Sequence, residues 1–271
     1  MRVPGLSSTY PLTFSPFYAN LSGKVKNLHM SKIVFFDTET TGLDKTDRLC
    51  QVAFLDDGEM HSSYFKPPVP ISIGAMATHH ITNGMVDDLD AFDGSELKDR
   101  MQQLISQNDT VFVAHNAKFD IEMLKREGLI IPRSICTLKV ARYIDKDATI
   151  ESFSLQYLRY YLRINVVASP HDAEGDVTVL KMIFEKLIEI LIADDELSDV
   201  STKEDAILEM ISITQKPSLI RTFRFGKHNG KTLAEVALSD TDYLNWLLGE
   251  KRKEEDPDGD WIYSLEHYLN K

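Results

Sequence analysis

Four apolar residues, Ile33 to Phe36, run straight into Asp37, Thr38 and Glu39, and Thr40, Thr41 and Gly42 follow as a break. A chain with this stretch has to bury a strand whose far end carries two carboxylates. Strand side chains alternate between faces, so Asp37 and Glu39, two apart, point the same way and can converge on one point. There they are either acids solvated at a strand end or half of a cation site, and the stretch alone leaves both readings open. The turn that follows puts them beside a loop on a rigid scaffold, where function concentrates.

The rest of the chain supplies elements to surround that strand. Leu49 to Leu55 and Glu59 to Phe65 read as two further strands of an antiparallel meander. Ile73 to Met85 has helical spacing interrupted by His79, His80 and a turn at Asn83-Gly84, and Ser95 to Ser106 reads as an amphipathic helix covering the sheet. Asp109 to Ala114 is an apolar run of strand length; His115 and Asn116 follow, then a helical pattern from Phe119 to Glu127 closed by Gly128. Such a strand-to-helix junction forms a ligand crevice in open α/β sheets, and Asp120 lies in the first turn of this helix. Helices read from Cys136 to Tyr143, from Ser154 to Leu162 and from Ala173 to about Ile192. The alternation of strands and helices predicts an α/β fold, a mixed sheet flanked by helices.

Four segments follow from this pattern. Residues 1–29 hold no Asp or Glu, three prolines, and only Arg2, Lys24 and Lys26 as charges, so they read as a disordered extension. Residues 30–192 form the α/β domain, 193–215 an acidic linker with a short helix, and 216–271 a small C-terminal α+β module. In the module Phe223 and Phe225 alternate with basic residues as in a strand, Asn229-Gly230 marks a turn, and Thr241 to Leu248 and Ile262 to Leu269 read as helices. The basic run through Arg221, Arg224, Lys227 and Lys231 either grips a phosphate backbone while Trp246 meets bases, or is a solvated face, or recruits a protein partner.

Composition narrows the chemistry. A net charge of −12 over 271 residues argues against nucleic-acid binding by a broad basic surface, but not against a local grip on phosphate through metal ions. No apolar run approaches the roughly 18 residues of a membrane span. The two cysteines, Cys50 and Cys136, lack metal or disulfide spacing and suit a reducing, cytoplasmic setting.

Four carboxylates stand at element ends: Asp37 and Glu39 on the strand, Asp120 at one helix start and Asp176 in the first turn of the long helix, with His171 in the loop before it. Hard oxygen ligands suit two Mg²⁺ or Mn²⁺ ions, which about 4 Å apart can bind one scissile phosphate. A histidine with a pKa of about 6.5 can take the proton from an attacking water near neutral pH.

These residues fall within FDTETTG, AHNAKFD and HDAEGD, which resemble the three motifs of the DEDD-type 3′ to 5′ exonucleases, in the DEDDh subgroup whose third motif is H-x-x-x-x-D. The resemblance covers Lys32 to about Ile192 and implies a ribonuclease H-like fold, with Asp37, Glu39, Asp120 and Asp176 as metal ligands and His171 as general base. It further implies substrate contacts at Thr38, Thr40, Leu43, His79, His115, Asn116 and Phe119. From the residues alone, Asn116 is equally a helix cap, His79 a structural histidine and Leu43 a core residue. The run KPSLIRTFRFGKHNGKTLAEVA with YLNWLL and EHYLNK is similar to the C-terminal part of the exodeoxyribonuclease X group, and AMATHHIT with ICTLKVAR resembles the same group. This chain departs from the group in residues 1–29 and in an acidic insertion around Glu254 to Asp260.

The resemblance implies an exodeoxyribonuclease acting on 3′ ends of single-stranded or duplex DNA, in repair or recombination. The motifs do not read the sugar, so an RNA-trimming enzyme and an epsilon-like proofreading subunit remain alternatives, with a noncatalytic nucleic-acid-binding protein behind them.

Overall fold

The computed structural model describes residues 32–166, 168, 171–194, 197 and 199–270; the extension expected over 1–29 lies outside the described residues. Its centre is a five-stranded sheet of order β3-β2-β1-β4-β5, built from β1 (Lys32–Thr40), β2 (Leu49–Asp56), β3 (Glu59–Tyr64), β4 (Thr110–Ala114) and β5 (Ser134–Cys136). The first three strands form the expected antiparallel meander, while β4 pairs parallel with β1 and β5 parallel with β4. Eleven helices are described: α1 (Ile73–His79), α2 (Asn83–Val86), α3 (Glu96–Ile105), α4 (Lys118–Arg126), α5 (Thr137–Ile144), α6 (Leu155–Tyr161), α7 (Ala173–Ala193), α8 (Lys203–Gln215), α9 (Leu233–Ser239), α10 (Thr241–Lys253) and α11 (Gly259–Leu269).

The central strands read as apolar runs because both their faces are covered. Val34, Phe36, Val52, Phe54 and Phe112 enter one core with residues of α3 and α4, including Met101, Leu104 and Leu124. Phe35, Ala53, Val111, Val113 and Ile135 face the other way, into a core filled by α7 through Val177, Leu180, Ile183, Phe184 and Leu187. This alternation makes three layers, helix on sheet on helix, and puts Asp37 and Glu39 on the α7 side.

Helix α8 departs from the expected linker. Ala206, Ile207, Met210, Ile211 and Ile213 are buried in the α7-side core, and Thr214 Oγ1 accepts the Cys136 backbone N–H at 2.9 Å. It packs against the short edge strand β5, whose unpaired side would otherwise be open.

The C-terminal segment is organised around Phe223, which is fully buried among Leu233, Val236, Leu244, Leu247 and Leu265. The expected strand over the basic run is reduced to one isolated bridge, Thr222 with Thr232. Phe223 turns into the helical core and a 3-10 turn at Gly226–His228 follows, so the ladder has nothing to continue on. The module is helical among the described residues rather than α+β. Its acidic insertion ties it to the sheet domain: Asp260 accepts from Arg142 Nη1 at 3.2 Å, Asp256 pairs with Lys118 at 2.9 Å and Glu255 with Lys45 at 2.7 Å. Among the described residues no helix is long and apolar enough to cross a membrane.

Candidate active site

Asp37 and Glu39 leave β1 on one face, and the first turn of α7 brings Asp176 over them. One carboxylate oxygen from each of the three lies within 4.8 Å of the other two. Asp176 is held from both sides: Gln156 Nε2 of α6 donates to its Oδ1 at 2.7 Å, and the His171 backbone N–H donates to its Oδ2 at 3.2 Å. Buried Gln51 on β2 fastens the start of α7, donating to Asp172 Oδ1 at 3.0 Å and accepting from the Ala173 N–H at 3.4 Å. Neither glutamine belongs to the three motifs, and no periodicity marks them.

Asp120 approaches from the other layer. Its buried carboxylate accepts a 2.7 Å hydrogen bond from Thr38 Oγ1, so Thr38, expected as a substrate contact, instead points away from Asp37 and Glu39 and positions Asp120. The turn after β1 is built on Asp47, which accepts from Thr41 Oγ1 at 2.6 Å and the Asp44 N–H at 2.7 Å. Its carboxylate passes so close to Gly42 that a Cβ there would meet Oδ2 at 2.5 Å, which is why the strand ends in glycine. Arg48 clasps Glu127 through two 2.7 Å bonds and Arg126 donates to the Asp44 and Asp47 carbonyls, so this turn is fixed to α4.

Crowding four acids in a partly dry site raises their proton affinity. Burial, then the charges of Asp120, Glu39 and Asp176, push Asp37 well above the usual carboxylate range. Burial and then Asp176 push Glu39 up to about 8, and burial pushes Asp120 up to about 7 against the opposing Thr38 hydrogen bond. Asp176 is raised by burial as well, although Gln156 and His171 pull the other way. Acids in this state are poised to exchange protons for divalent cations, and an all-carboxylate donor set fits a hard ion such as Mg²⁺ or Mn²⁺.

Asp37, Asp176 and His171 open on a cleft of about 730 Å³ that His115, Asn116, Arg142, Phe153 and Arg224 also line. His171 and Asn116 both adopt the left-handed backbone, at φ 57° and 59°, a conformation that concentrates at functional sites. The three site histidines differ in what holds their rings. His79 Nε2 donates to the Thr40 carbonyl at 3.0 Å while its Nδ1 accepts the Ile81 N–H at 3.0 Å, a tautomer assigned from those partners, so its ring is taken up by backbone. His115 lies 2.7 Å from the Phe153 carbonyl and 2.9 Å from Thr137 Oγ1, and burial lowers its pKa to about 4. The exposed His171 imidazole has no hydrogen-bond partner among the described residues.

The remaining expected substrate contacts divide. Leu43 is 85% exposed beyond the turn and does not pack in the core. Asn116 is exposed and does not cap α4, whose N-cap is Ala117. Thr40 Oγ1 is spent on the Gly42 carbonyl at 2.7 Å, and Phe119 packs against the α3/α4-side core.

The family model for exonucleases (RNase T type) matches residues 34–184, more than half of the chain. The chain belongs to the exonuclease family. Over 245 residues it is 31% identical to exodeoxyribonuclease 10 of Escherichia coli strain K12, a match covering 86% of this chain and 96% of that protein. A second family model, the exodeoxyribonuclease X-like C-terminal region, matches residues 223–251, which hold Phe223 and its surroundings. Among solved structures, exonuclease I with bound product superposes with a TM-score of 0.51 at 20% identity over 66% of this chain and 46% of that one, a likeness of fold. Exonuclease X in complex with 5′ overhanging duplex DNA is 29% identical, with a TM-score of 0.48, over 67% of this chain and 99% of that one. The sheet order and flanking helices are those of the ribonuclease H-like class. This exonuclease works from 3′ to 5′ and is metal-dependent, and among the described residues Asp37, Glu39 and Asp176 bring ligand atoms close enough together that they could hold an ion.

Proposed function

We propose that this exonuclease hydrolyses the terminal phosphodiester at 3′ ends of DNA and releases 5′-mononucleotides, using two Mg²⁺ or Mn²⁺ ions. The convergence of the Asp37, Glu39 and Asp176 carboxylates within 4.8 Å, at a cleft also lined by His171, carries this reading. DNA is favoured because the match to exodeoxyribonuclease 10 covers nearly all of that protein, C-terminal region included.

When bound, the ions supply Lewis-acid stabilisation of the charge that develops on the attacking and leaving oxygens. Asp37 and Glu39 from β1, Asp176 from α7 and Asp120 from α4 would hold them; Thr38 fixes the orientation of the Asp120 carboxylate, and Gln156 and the His171 N–H fix that of Asp176. The His171 imidazole takes the proton of the water that attacks phosphorus, the bond to the 3′ oxygen breaks, and that oxygen is protonated from solvent. His79 and His115, with both ring nitrogens engaged, hold backbone in place instead. Leu43, exposed beyond the turn that ends β1, meets the terminal base. The buried thiols Cys50 and Cys136 fit a reducing, cytoplasmic setting.

The test is purified protein with Mg²⁺ on 3′-labelled single-stranded DNA, duplex DNA and RNA of matched sequence. Release of labelled 5′-mononucleotide from DNA, and its block by a terminal phosphorothioate, is the expected result. Preference for the RNA oligonucleotide would overturn the substrate assignment.

A further inference from the structure

Two guanidinium groups stand in the wall of the cleft where the three motifs place no residue. Arg142 comes from α5 and Arg224 from the C-terminal module, and both line the space that Asp37, Asp176 and His171 also line. Both also line an adjoining small recess with Arg221 and Thr222, so they stand where the module meets the catalytic cleft. Each is anchored at one end: Arg142 Nη1 reaches Asp260 of α11 at 3.2 Å and its guanidinium lies 5.9 Å from the centre of the Phe153 ring, while Arg224 Nη2 donates to the Ile150 carbonyl. A guanidinium has five N–H donors in a rigid fork, so one anchoring bond leaves most of its donors available. Glu151 lines this wall, with Ser152 and Ser154 beside it, and Asp145 lines the adjoining recess. In a chain of net charge −12, two positive forks beside an acidic catalytic end are a local reversal of sign.

We infer that Arg142 and Arg224 form a phosphate-holding pair, through which the C-terminal module grips the substrate strand upstream of the scissile bond. The inference rests on the exonuclease reading above. An enzyme that removes one nucleotide at a time has a single nucleotide on the 3′ side of the cut, so further phosphates in the cleft belong to the retained strand. Arg–phosphate contacts are charge-assisted and position the backbone without reading sequence, which suits an enzyme that advances along it. The module thereby contributes to substrate binding in cis, and the acidic strip that docks it holds Arg142 in place through Asp260.

The experiment compares full-length wild type and Arg224→Gln on two substrates: a single-stranded DNA oligonucleotide and the p-nitrophenyl ester of thymidine 5′-monophosphate, which has no upstream phosphate. KM for the oligonucleotide is expected to rise about tenfold, the scale of one charge-assisted hydrogen bond, with kcat within about twofold. The effect on the ester is expected to be at least about fivefold smaller, and the salt dependence of oligonucleotide binding to lose about 0.7 of a counterion. Arg224→Lys should restore the salt slope, because the point charge remains. Glu151→Gln, which removes the opposing charge from the same wall, should lower KM. Equal losses on both substrates, or an unaltered KM and salt slope in Arg224→Gln, would overturn the inference. If wild type cleaves the ester but no DNA oligonucleotide, the substrate reading fails instead; fluorescence-anisotropy binding of the same oligonucleotide then decides the arginine pair.

Discussion

Thr38 lies between Asp37 and Glu39 in the chain but on the opposite face of β1, where its hydroxyl donates to Asp120 at 2.7 Å. That bond lowers a proton affinity that burial raises, so it favours the charged Asp120 a metal needs. Thr38→Val, close in shape and without the donor, is expected to lower kcat about tenfold, in line with a lost hydrogen bond to a charged group. It should also move the acidic limb of the rate profile to higher pH, because a carboxylate that loses a donor holds its proton more tightly. Thr38→Ser should recover most of both; a profile that stays in place would show that Thr38 acts through packing alone. His171 belongs to the same scale. Its replacement by Ala removes the proton acceptor and should reduce kcat by about 10²- to 10⁴-fold with KM little changed, measured in single-turnover assays.

At the scale of elements, α8 separates two accounts of residues 193–215. A helix in a linker would tolerate truncation of its apolar residues within about 0.5 kcal/mol, whereas Met210 is fully buried against the sheet, so Met210→Ala should cost about 2–5 kcal/mol in urea unfolding. The helix itself is visible in the sequence, but its partner is not: β5 is three residues long, too short to show a period, and its Cys136 reads equally as the start of α5. Strands β1, β2 and β4 were legible because both faces are largely buried and apolar residues dominate them, over Ile33 to Phe36 in β1 and on either side of Gln51 in β2. The meeting of Asp37, Glu39 and Asp176 was legible from motif order, since strand ends and helix starts share a crevice. What sequence could not show were the residues that hold the acids, Gln51 and Gln156, because a buried glutamine has no periodic signature and its value lies in partners 121 and 20 residues away. The basic run misled for a related reason: Phe223 alternates like a strand residue yet centres a helical core, and Arg221 donates to the Arg142 carbonyl at 2.8 Å rather than facing solvent alone.

At the scale of the whole molecule, the acidic site makes stability depend on pH and on metal together. Glu39 at about 8 and Asp120 at about 7 lie above their ordinary values of 4.5 and 3.8, and Asp37 and Asp176 are raised too. The metal-free folded state therefore binds protons more tightly than the unfolded chain. That contribution is complete below about pH 4 and is lost as pH rises through the folded values towards about pH 8. A divalent cation replaces those protons, and its stabilisation follows its affinity for the folded state. Protein treated with EDTA is expected to melt at a lower temperature at pH 8 than at pH 5.5, and Mg²⁺ or Mn²⁺ should raise the melting temperature more at pH 8, where fewer protons compete. Other groups titrate over this range, so the deciding comparison is with Glu39→Gln. Without metal this variant should melt above wild type at pH 8 and by a smaller margin at pH 5.5, and it should gain less from Mg²⁺. Were wild type and Glu39→Gln to keep the same melting difference at both pH values, the charge repulsion among these four acids would not be what the bound cation relieves.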